Sequence, residues 1–310
     1  MALAVDSTHQ TRGLDWLETP DNQARGYIQP HALDELWFHT GTACNLACPF
    51  CLEGSKPGDN RLQRITLTDA KPYIDAAVKL GVKQFSFTGG EPFIVKGMVN
   101  ILQYALQHRS CMVLTNGTLP VLRRLEQIAT LQNQPHEVAF RISIDYADAQ
   151  RHEEGRGEGT FDQAWRGMAE LHQLGFKVSL ARQMDEGENS PEVDQAFRAL
   201  FVKYGMPADT TIVAFPDFAT PGSIKDVPHI TEDCMTRYHS EQSRSEFMCA
   251  NSKMLVKKEG LMRIYSCTLV DDDLDYDQGS DLAESMLEKV MLKHHRCYSC
   301  FAYGASCSER

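Results

Sequence analysis

The chain has 310 residues, of which 42% are hydrophobic and 24% are charged, as in an ordinary globular protein with one large domain or two small ones. Its net charge of −11 argues against a nucleic-acid partner, because phosphate binding needs a basic face, whereas an acidic surface attracts cationic ligands. No segment approaches the roughly 20 apolar residues of a membrane helix, and the N-terminus lacks a basic region followed by an apolar run. We therefore expect a cytoplasmic protein without a membrane partner, in which ten cysteines serve metal or redox chemistry rather than disulfides.

Apolar runs alternate with helical patterns from about residue 36 to residue 216. The predicted strands are Leu36–His39, Gln84–Phe87, Cys111–Leu114, Ala139–Ile144, Phe176–Leu180 and Thr211–Phe215. The predicted helices run from Thr66 to Gly81, from Pro92 to about Gln107, and over roughly 120–131, 161–173 and 191–204. About six such alternations imply parallel strands with crossover helices, and thus an α/β fold of the partial (β/α)6 barrel type. Polar and Gly-rich segments follow the strands, at the end of a barrel that carries the active site.

Beyond residue 216 the pattern changes. Pro216, Pro221 and Pro228 mark a connector, and Met254–Tyr265 predicts a β-hairpin that turns at Glu259-Gly260. Six of the ten cysteines lie in this region: Cys234, Cys249, Cys267, Cys297, Cys300 and Cys307. A small segment without a large core is often held together by a metal centre. We expect an N-terminal extension (1–35), a barrel (36–216), and a connector with a cysteine-rich domain (217–310).

The segment from Cys44 to Cys51 places three cysteines, Cys44, Cys48 and Cys51, in a C-x3-C-x2-C spacing. A [4Fe–4S] cluster normally takes four cysteine ligands, so three leave one iron open for another molecule. Zinc sites with four ligands usually take their cysteines from C-x2-C pairs, whereas this motif groups three cysteines on one loop. The spacing resembles the cluster loop of the radical S-adenosylmethionine (SAM) enzymes, in which SAM chelates the fourth iron and an aromatic residue, here Phe50, precedes the third cysteine.

Gly89-Gly90-Glu91-Pro92, after the second predicted strand, resembles the motif with which that family holds the amine of SAM. Two glycines allow close backbone approach to a ligand, and a carboxylate accepts hydrogen bonds from an ammonium group. The resemblance implies further SAM contacts after the next strands, from Thr115, Asn116, Ser143, Asp145 and Arg182. Each is also an ordinary turn or cap residue type. The run Asp145…His152…Arg156-Gly157…Phe161 is similar to SPASM-type members of the family and assigns no roles.

The C-terminal cysteines resemble a twitch or SPASM auxiliary domain that binds one further [4Fe–4S] cluster. Five cysteines lie between residues 249 and 307, and one cluster needs four. One assignment uses Cys267, Cys297, Cys300 and Cys307 and leaves Cys249 available for chemistry. The competing, twitch-like assignment uses Cys249, Cys267, Cys297 and Cys300. A structural zinc remains an alternative, Cys111 reads as a small core residue, and Cys234 is undetermined.

A thiol beside a radical enzyme's pocket can return a hydrogen atom to a substrate carbon, and we expect Cys249 to be that donor. The chain resembles aminoglycoside epimerases of the radical SAM family, which implies a cationic small-molecule substrate, SAM, two [4Fe–4S] clusters, and an electron donor such as flavodoxin or ferredoxin. Alternatives are a twitch-type dehydrogenase acting on an amino-sugar alcohol and a peptide-modifying SPASM enzyme. An iron–sulfur electron carrier or a zinc-stapled binding protein would leave Gly89-Gly90-Glu91-Pro92 unexplained.

Overall fold

The computed structural model describes residues 12–304, so Cys307 lies outside the described residues. Ten strands are formed: β1 (Tyr27–Ile28), β2 (Glu35–His39), β3 (Gln84–Thr88), β4 (Ser110–Thr115), β5 (Val138–Ser143), β6 (Lys177–Gln183), β7 (Ile212–Phe215), β8 (Ser252–Lys258), β9 (Leu261–Tyr265) and β10 (Val290–Met291). The α-helices are α1 (Leu67–Lys79), α2 (Met98–Ala105), α3 (Leu119–Leu122), α4 (Leu125–Ala129), α5 (Ala149–Arg156), α6 (Thr160–Gln173), α7 (Ser190–Lys203), α8 (Glu232–Tyr238), α9 (Glu241–Ser245), α10 (Met248–Asn251), α11 (Leu282–Ser285) and α12 (Cys297–Tyr303).

The main sheet has eight strands in the order β7-β6-β5-β4-β3-β2-β8-β9. Strands β2 to β7 are parallel, and each pairs with its neighbour in sequence. The predicted partial barrel is therefore present, with every strand from β2 to β7 ending at the same edge.

The predicted C-terminal hairpin belongs to this sheet. Strand β8 pairs parallel with β2, and β9 then pairs antiparallel with β8. The turn has positive φ angles at Glu259 (51°) and Gly260 (82°), as a two-residue hairpin turn requires. In the predicted N-terminal extension, β1 pairs with β10 near the other end of the chain. Both flanking regions thus pack against the barrel or against each other.

Side chains alternate between two hydrophobic cores along the central strands. Leu36 and Phe38 belong to the core that contains the crossover helices, whereas Trp37 between them belongs to a second core. Cys111 and Val113 on β4 likewise face the first core, and Met112 faces the second. This follows from the two-residue period of a strand. The second core, inside the barrel, also contains the C-terminal cysteine region.

Local signals explain where the helices begin and where the prediction differs. Helix α1 begins at a capping box, in which Thr66 and Asp69 each accept a hydrogen bond from the other's backbone N–H. The helix expected over 120–131 is broken into α3, α4 and a 3₁₀ turn, Thr130–Asn133. Helix α5 was not predicted, because its polar sequence carries no amphipathic pattern. Within the described residues, no helix is long and apolar enough to cross a membrane.

Candidate active site

A cavity of about 250 Å³ lies at the carboxyl edge of the barrel strands. Its walls contain eleven of the residues expected from the sequence: Cys44, Cys48, Phe50, Cys51, Gly89, Gly90, Thr115, Asn116, Ser143, Asp145 and Arg182. Glu91 and Cys249 are not among the lining residues. The expected SAM site and the cysteine triple therefore meet in one place, as the common edge of parallel strands requires.

The three cysteines of the first motif lie on one tight loop after β2. The Cys51 N–H donates to the Cys48 carbonyl oxygen at 3.2 Å, and the Leu46 N–H donates to Cys44 Sγ at 3.4 Å. All three side chains are partly buried, and burial raises the pKa of the Cys44 thiol to about 12. Three sulfur ligands facing one cavity fit a [4Fe–4S] cluster with one open iron, and these residues would hold it.

The glycine pair packs directly against the start of the cysteine loop. A Cβ atom on Gly90 would lie 2.2 Å from the carbonyl oxygen of Ala43, and Gly89 has a φ of +127°. The Gly90 N–H donates to the Gly41 carbonyl at 2.9 Å, and the Glu91 N–H donates to the Ala43 carbonyl at 3.1 Å. Only glycine fits at position 90, so the motif also sets the distance between β3 and the cysteine loop.

Glu91 is buried and bound to the end of the neighbouring strand. Its carboxylate accepts hydrogen bonds from Thr115 Oγ1 and the Asn116 N–H, both at 2.9 Å, and from the Phe93 N–H at 3.0 Å. Burial raises the pKa of Glu91. In this arrangement Glu91 connects the ends of β3 and β4, and its expected contact with the SAM amine stays a prediction.

Asn116 connects the end of β4 to the cysteine loop. Its Nδ2 donates to Asn45 Oδ1 at 3.0 Å, and Asn45 Nδ2 donates to Thr118 Oγ1 at 3.0 Å. Asn45 directly follows Cys44, so this network holds the first cysteine in place. The sequence indicated Asn116 as a SAM contact, but the partnership with Asn45 depends on the fold.

Arg156 is a site residue to which the sequence assigned no role. Its guanidinium pairs with Asp145, with Nη2 2.8 Å from Oδ1, and its Cζ lies 5.8 Å from the ring centre of Phe50. Burial disfavours the charged form of Arg156, but the paired Asp145 carboxylate outweighs it and raises the Arg156 pKa above its usual range. The cation therefore lies beside the cysteine loop, and the Asp…His…Arg-Gly run was its only signal in the sequence.

Arg182, by contrast, is already engaged by two carboxylates. Its Nη1 lies 2.7 Å from Glu188 Oε1, and its Nε lies 3.0 Å from Asp194 Oδ1. The side chain lines the cavity but is 1% exposed. Its expected role as a partner of the SAM carboxylate stays a prediction, and Arg156 is a second candidate for that role.

Four C-terminal cysteines converge on a second, smaller and apolar cavity. Cys249 and Cys267 are buried, and Cys297 and Cys300 lie on α12 opposite them. Four sulfur ligands are the number that a closed [4Fe–4S] site needs, so this donor set fits an auxiliary cluster. Cys111 is a core residue on β4, as expected, and Cys234 lies near the N-terminus of α8, with its sulfur 3.2 Å from Thr231 Oγ1.

The position of Cys249 bears on both assignments of the auxiliary ligands. It lies with the other three cysteines and not on the wall of the central cavity. The described geometry thus favours the twitch-like ligand set, and a donor role for Cys249 requires Cys307 to complete the cluster. Cys249 and the cavity residues Leu114 and Phe215 belong to one hydrophobic core.

Comparison with known proteins places these features in a family. The Radical SAM superfamily profile matches residues 38–200, more than half of the chain. The mycofactocin maturase MftC of Mycolicibacterium smegmatis is 30% identical over 164 residues, which are 53% of this chain and 40% of that protein. The subtilosin biosynthesis protein AlbA of Bacillus subtilis is 30% identical over 145 residues, 46% of this chain and 31% of that protein. The chain thus matches less than half the length of either relative.

A solved structure extends the likeness beyond the barrel. SuiB of Streptococcus suis, solved with S-adenosylmethionine bound, superposes with a TM-score of 0.59 over 90% of this chain and 69% of SuiB, at 14% identity. Identity this low shows the fold alone. The predicted α/β radical SAM barrel with a C-terminal cysteine region is confirmed, and the chain resembles SPASM- and twitch-type enzymes.

Proposed function

Since the chain belongs to the Radical SAM superfamily, we propose that it is an epimerase which inverts one carbon of an aminoglycoside, C-5‴ of neomycin C, to give neomycin B. The observation that supports the substrate class is the set of carboxylates on the central cavity, from Glu53, Asp145 and Asp217, of which Asp145 is paired with Arg156 and Asp217 with Lys225. A polyammonium sugar offers the complementary charge, and the net charge of −11 attracts it at long range.

The proposed chemistry assigns separate tasks to the two cavities. Cys44, Cys48 and Cys51 would hold a cluster and SAM, which would supply a 5′-deoxyadenosyl radical able to remove one hydrogen atom from the sugar carbon. If Cys307 completes the auxiliary cluster, the Cys249 thiol would return a hydrogen atom to the opposite face, so that the C–H bond is re-formed and the S–H bond is broken. An electron donor, such as flavodoxin or ferredoxin, supplies one electron to cleave SAM, and a second electron and a proton restore the thiol.

The four-cysteine cavity favours a second candidate, a twitch-type dehydrogenase. If Cys249 is a ligand of the auxiliary cluster, it carries no S–H bond and cannot return a hydrogen atom. The substrate radical would then lose a proton and pass one electron to the auxiliary cluster that these cysteines would hold, and an amino-sugar alcohol would become a ketone. This candidate uses the same cavity and the same cationic substrate class.

The comparisons support a third candidate, modification of a peptide, more directly than they support a sugar epimerase. MftC is a maturase, AlbA serves bacteriocin biosynthesis, and SuiB has been solved with a precursor peptide. MftC and AlbA match only 53% and 46% of this chain.

Anaerobic turnover of the reconstituted protein with SAM, reductant and neomycin C in D2O distinguishes the candidates by mass spectrometry. Gain of one deuterium in the product, with one 5′-deoxyadenosine per turnover, supports the epimerase. Loss of two hydrogens supports the dehydrogenase. SAM cleavage without conversion of neomycin C rejects both the epimerase and the dehydrogenase as functions on this sugar. Peptide modification is then the next hypothesis to test.

A Cys249→Ala variant separates the donor role from the ligand role. If Cys249 is the donor, the variant keeps the iron and sulfide content of the wild type and both cluster signals in electron paramagnetic resonance, cleaves SAM, and forms no epimer. If Cys249 is a ligand, the auxiliary signal is lost and about four iron atoms per chain disappear. Cys111→Ala, at a buried strand position, is the matched control and should change neither measurement.

A further inference from the structure

One wall of the central cavity carries the Glu53 carboxylate, which is joined to the carboxyl group of Asp271, a residue that does not itself line the cavity. Glu53 lies on the loop after the cysteine triple and lines the cavity, and its side chain is hydrogen-bonded to Asp271 from the segment after β9. His39, at the end of β2, lies behind them, with its Nε2 3.1 Å from Glu53 Oε2. Burial and the neighbouring Glu53 carboxylate raise the pKa of Asp271 well above its ordinary value.

The hydrogen bonds of His39 do not fit a metal site, although ligand atoms of all three side chains lie within 4.8 Å of one another. The Gly41 N–H donates to His39 Nδ1 at 3.1 Å, so Nδ1 carries the lone pair. In that tautomer the hydrogen is on Nε2, which therefore donates to Glu53 and offers no lone pair to a cation. The histidine orients Glu53 instead.

Ser55 provides an independent sign that this wall binds a ligand. The side chain is 3% exposed and lines the same cavity, yet within residues 12–304 its Oγ has no hydrogen-bond partner. A buried hydroxyl without a partner is unfavourable unless a bound molecule supplies one.

The cations nearest to this wall are held by other groups. Arg61 Nη2 lies 2.7 Å from Asp59 Oδ2 and also donates to the Glu53 carbonyl oxygen at 2.7 Å. Arg296 Nη1 pairs with Asp272 at 3.2 Å and donates to the Leu269 carbonyl oxygen at 3.0 Å. In the described structure, neither guanidinium therefore forms a hydrogen bond with the side-chain carboxyl group of Glu53 or Asp271.

We propose that Glu53 and Ser55 bind an ammonium group of the substrate and so select for amines, with Asp271 positioning Glu53. An ammonium has three N–H donors, and the wall offers the Glu53 carboxylate and the Ser55 hydroxyl oxygen as acceptors. Asp271 comes from the C-terminal region, so its bond to Glu53 joins that region to the cysteine loop. This inference rests on the proposed cationic substrate and names the residues that recognise it.

Isothermal titration calorimetry on the reconstituted, SAM-loaded protein tests the inference with two probes, neomycin C and a hexalysine peptide. Glu53→Gln should weaken binding about tenfold or more, because it removes the negative charge, and Ser55→Ala should weaken it about threefold, because it removes one acceptor. Asp209→Asn, an exposed carboxylate in the loop before β7, is the matched control and should bind as the wild type does. Neomycin C with all amines acetylated should not bind measurably.

Ser55→Ala keeps the test decisive if Glu53→Gln folds poorly, because within the described residues the Ser55 hydroxyl makes no hydrogen bond that this variant would lose. Binding of neomycin C that is unchanged in both variants overturns the inference while the proposed function stands. Binding of hexalysine alone, weakened by Ser55→Ala, supports the ammonium site and rejects the sugar substrate. Failure of the wild type to bind either probe overturns the ammonium site together with the proposed function.

Discussion

Replacing Gly90 with alanine tests the close contact between the glycine motif and the cysteine loop. The new Cβ would lie 2.2 Å from the Ala43 carbonyl oxygen and 2.6 Å from its carbonyl carbon. Ordinary contacts between such atoms are near 3.5 Å, so the backbone has to move by roughly 1 Å. Ala43 precedes Cys44, and the displacement is therefore transmitted to the first cluster ligand.

The expected cost follows from the contacts that this movement disturbs. Overpacking costs about 1–3 kcal/mol, and the two backbone hydrogen bonds from Gly90 and Glu91 to the cysteine loop contribute about 1 kcal/mol each. Partial relaxation gives a total loss of about 2–4 kcal/mol, which lowers the melting temperature of a chain of this size by roughly 3–6 °C. Cluster assembly should suffer more than stability, because ligand geometry changes directly.

The assay compares iron content after anaerobic reconstitution, SAM binding and the melting temperature of the protein without metal. Gly97→Ala is the matched control, since a Cβ at that position meets no atom within 4 Å, and its effect should stay within about 1 kcal/mol. A Gly90→Ala protein that assembles the first cluster and binds SAM as the wild type does would refute the proposed contact.

Three further predictions concern stability. Thr66→Ala removes the cap of α1 and should lower the free energy of unfolding by about 1 kcal/mol in urea titrations, with unchanged stability refuting the capping box. Arg156→Met leaves Asp145 buried without its partner and should cost about 3–5 kcal/mol, much of which Asp145→Asn in the same chain should restore. Burial, assisted by Arg156, lowers the pKa of His152 to about 4, so the unfolded chain binds a proton at higher pH than the folded one. Stability should fall by at most about 3 kcal/mol as the pH drops from 6.5 to 4, and a melting temperature equally pH-dependent in His152→Gln would contradict this assignment.

Features with local causes were predictable from the sequence. The capping residue Thr66, the alternation of strands and helices, and the turn at Glu259-Gly260 each depend on residues a few positions apart. The cysteine triple needs only one short loop, which is why its three sulfur atoms could be assigned to a single centre. Strand ends could be placed at one edge because parallel crossover connections leave few alternatives.

The orientation of individual side chains at that edge depended on partners that no local pattern identifies. Glu91 is turned toward Thr115 and Asn116, and Arg182 is held by Glu188 and Asp194. A buried carboxylate or guanidinium takes the arrangement that satisfies most of its hydrogen bonds, and those partners come from neighbouring strands and loops.

The tertiary structure alone brought together residues that are far apart in the chain. Asp271 reaches Glu53 across more than two hundred residues, and Cys249 meets Cys297 and Cys300 because β8 joins the barrel sheet beside β2. Motif spacing therefore determined the superfamily and the first metal centre. The neighbours of Cys249, and the wall of the cavity that faces the substrate, were decided by how the C-terminal region packs into the barrel, since only packing places such distant side chains within contact distance.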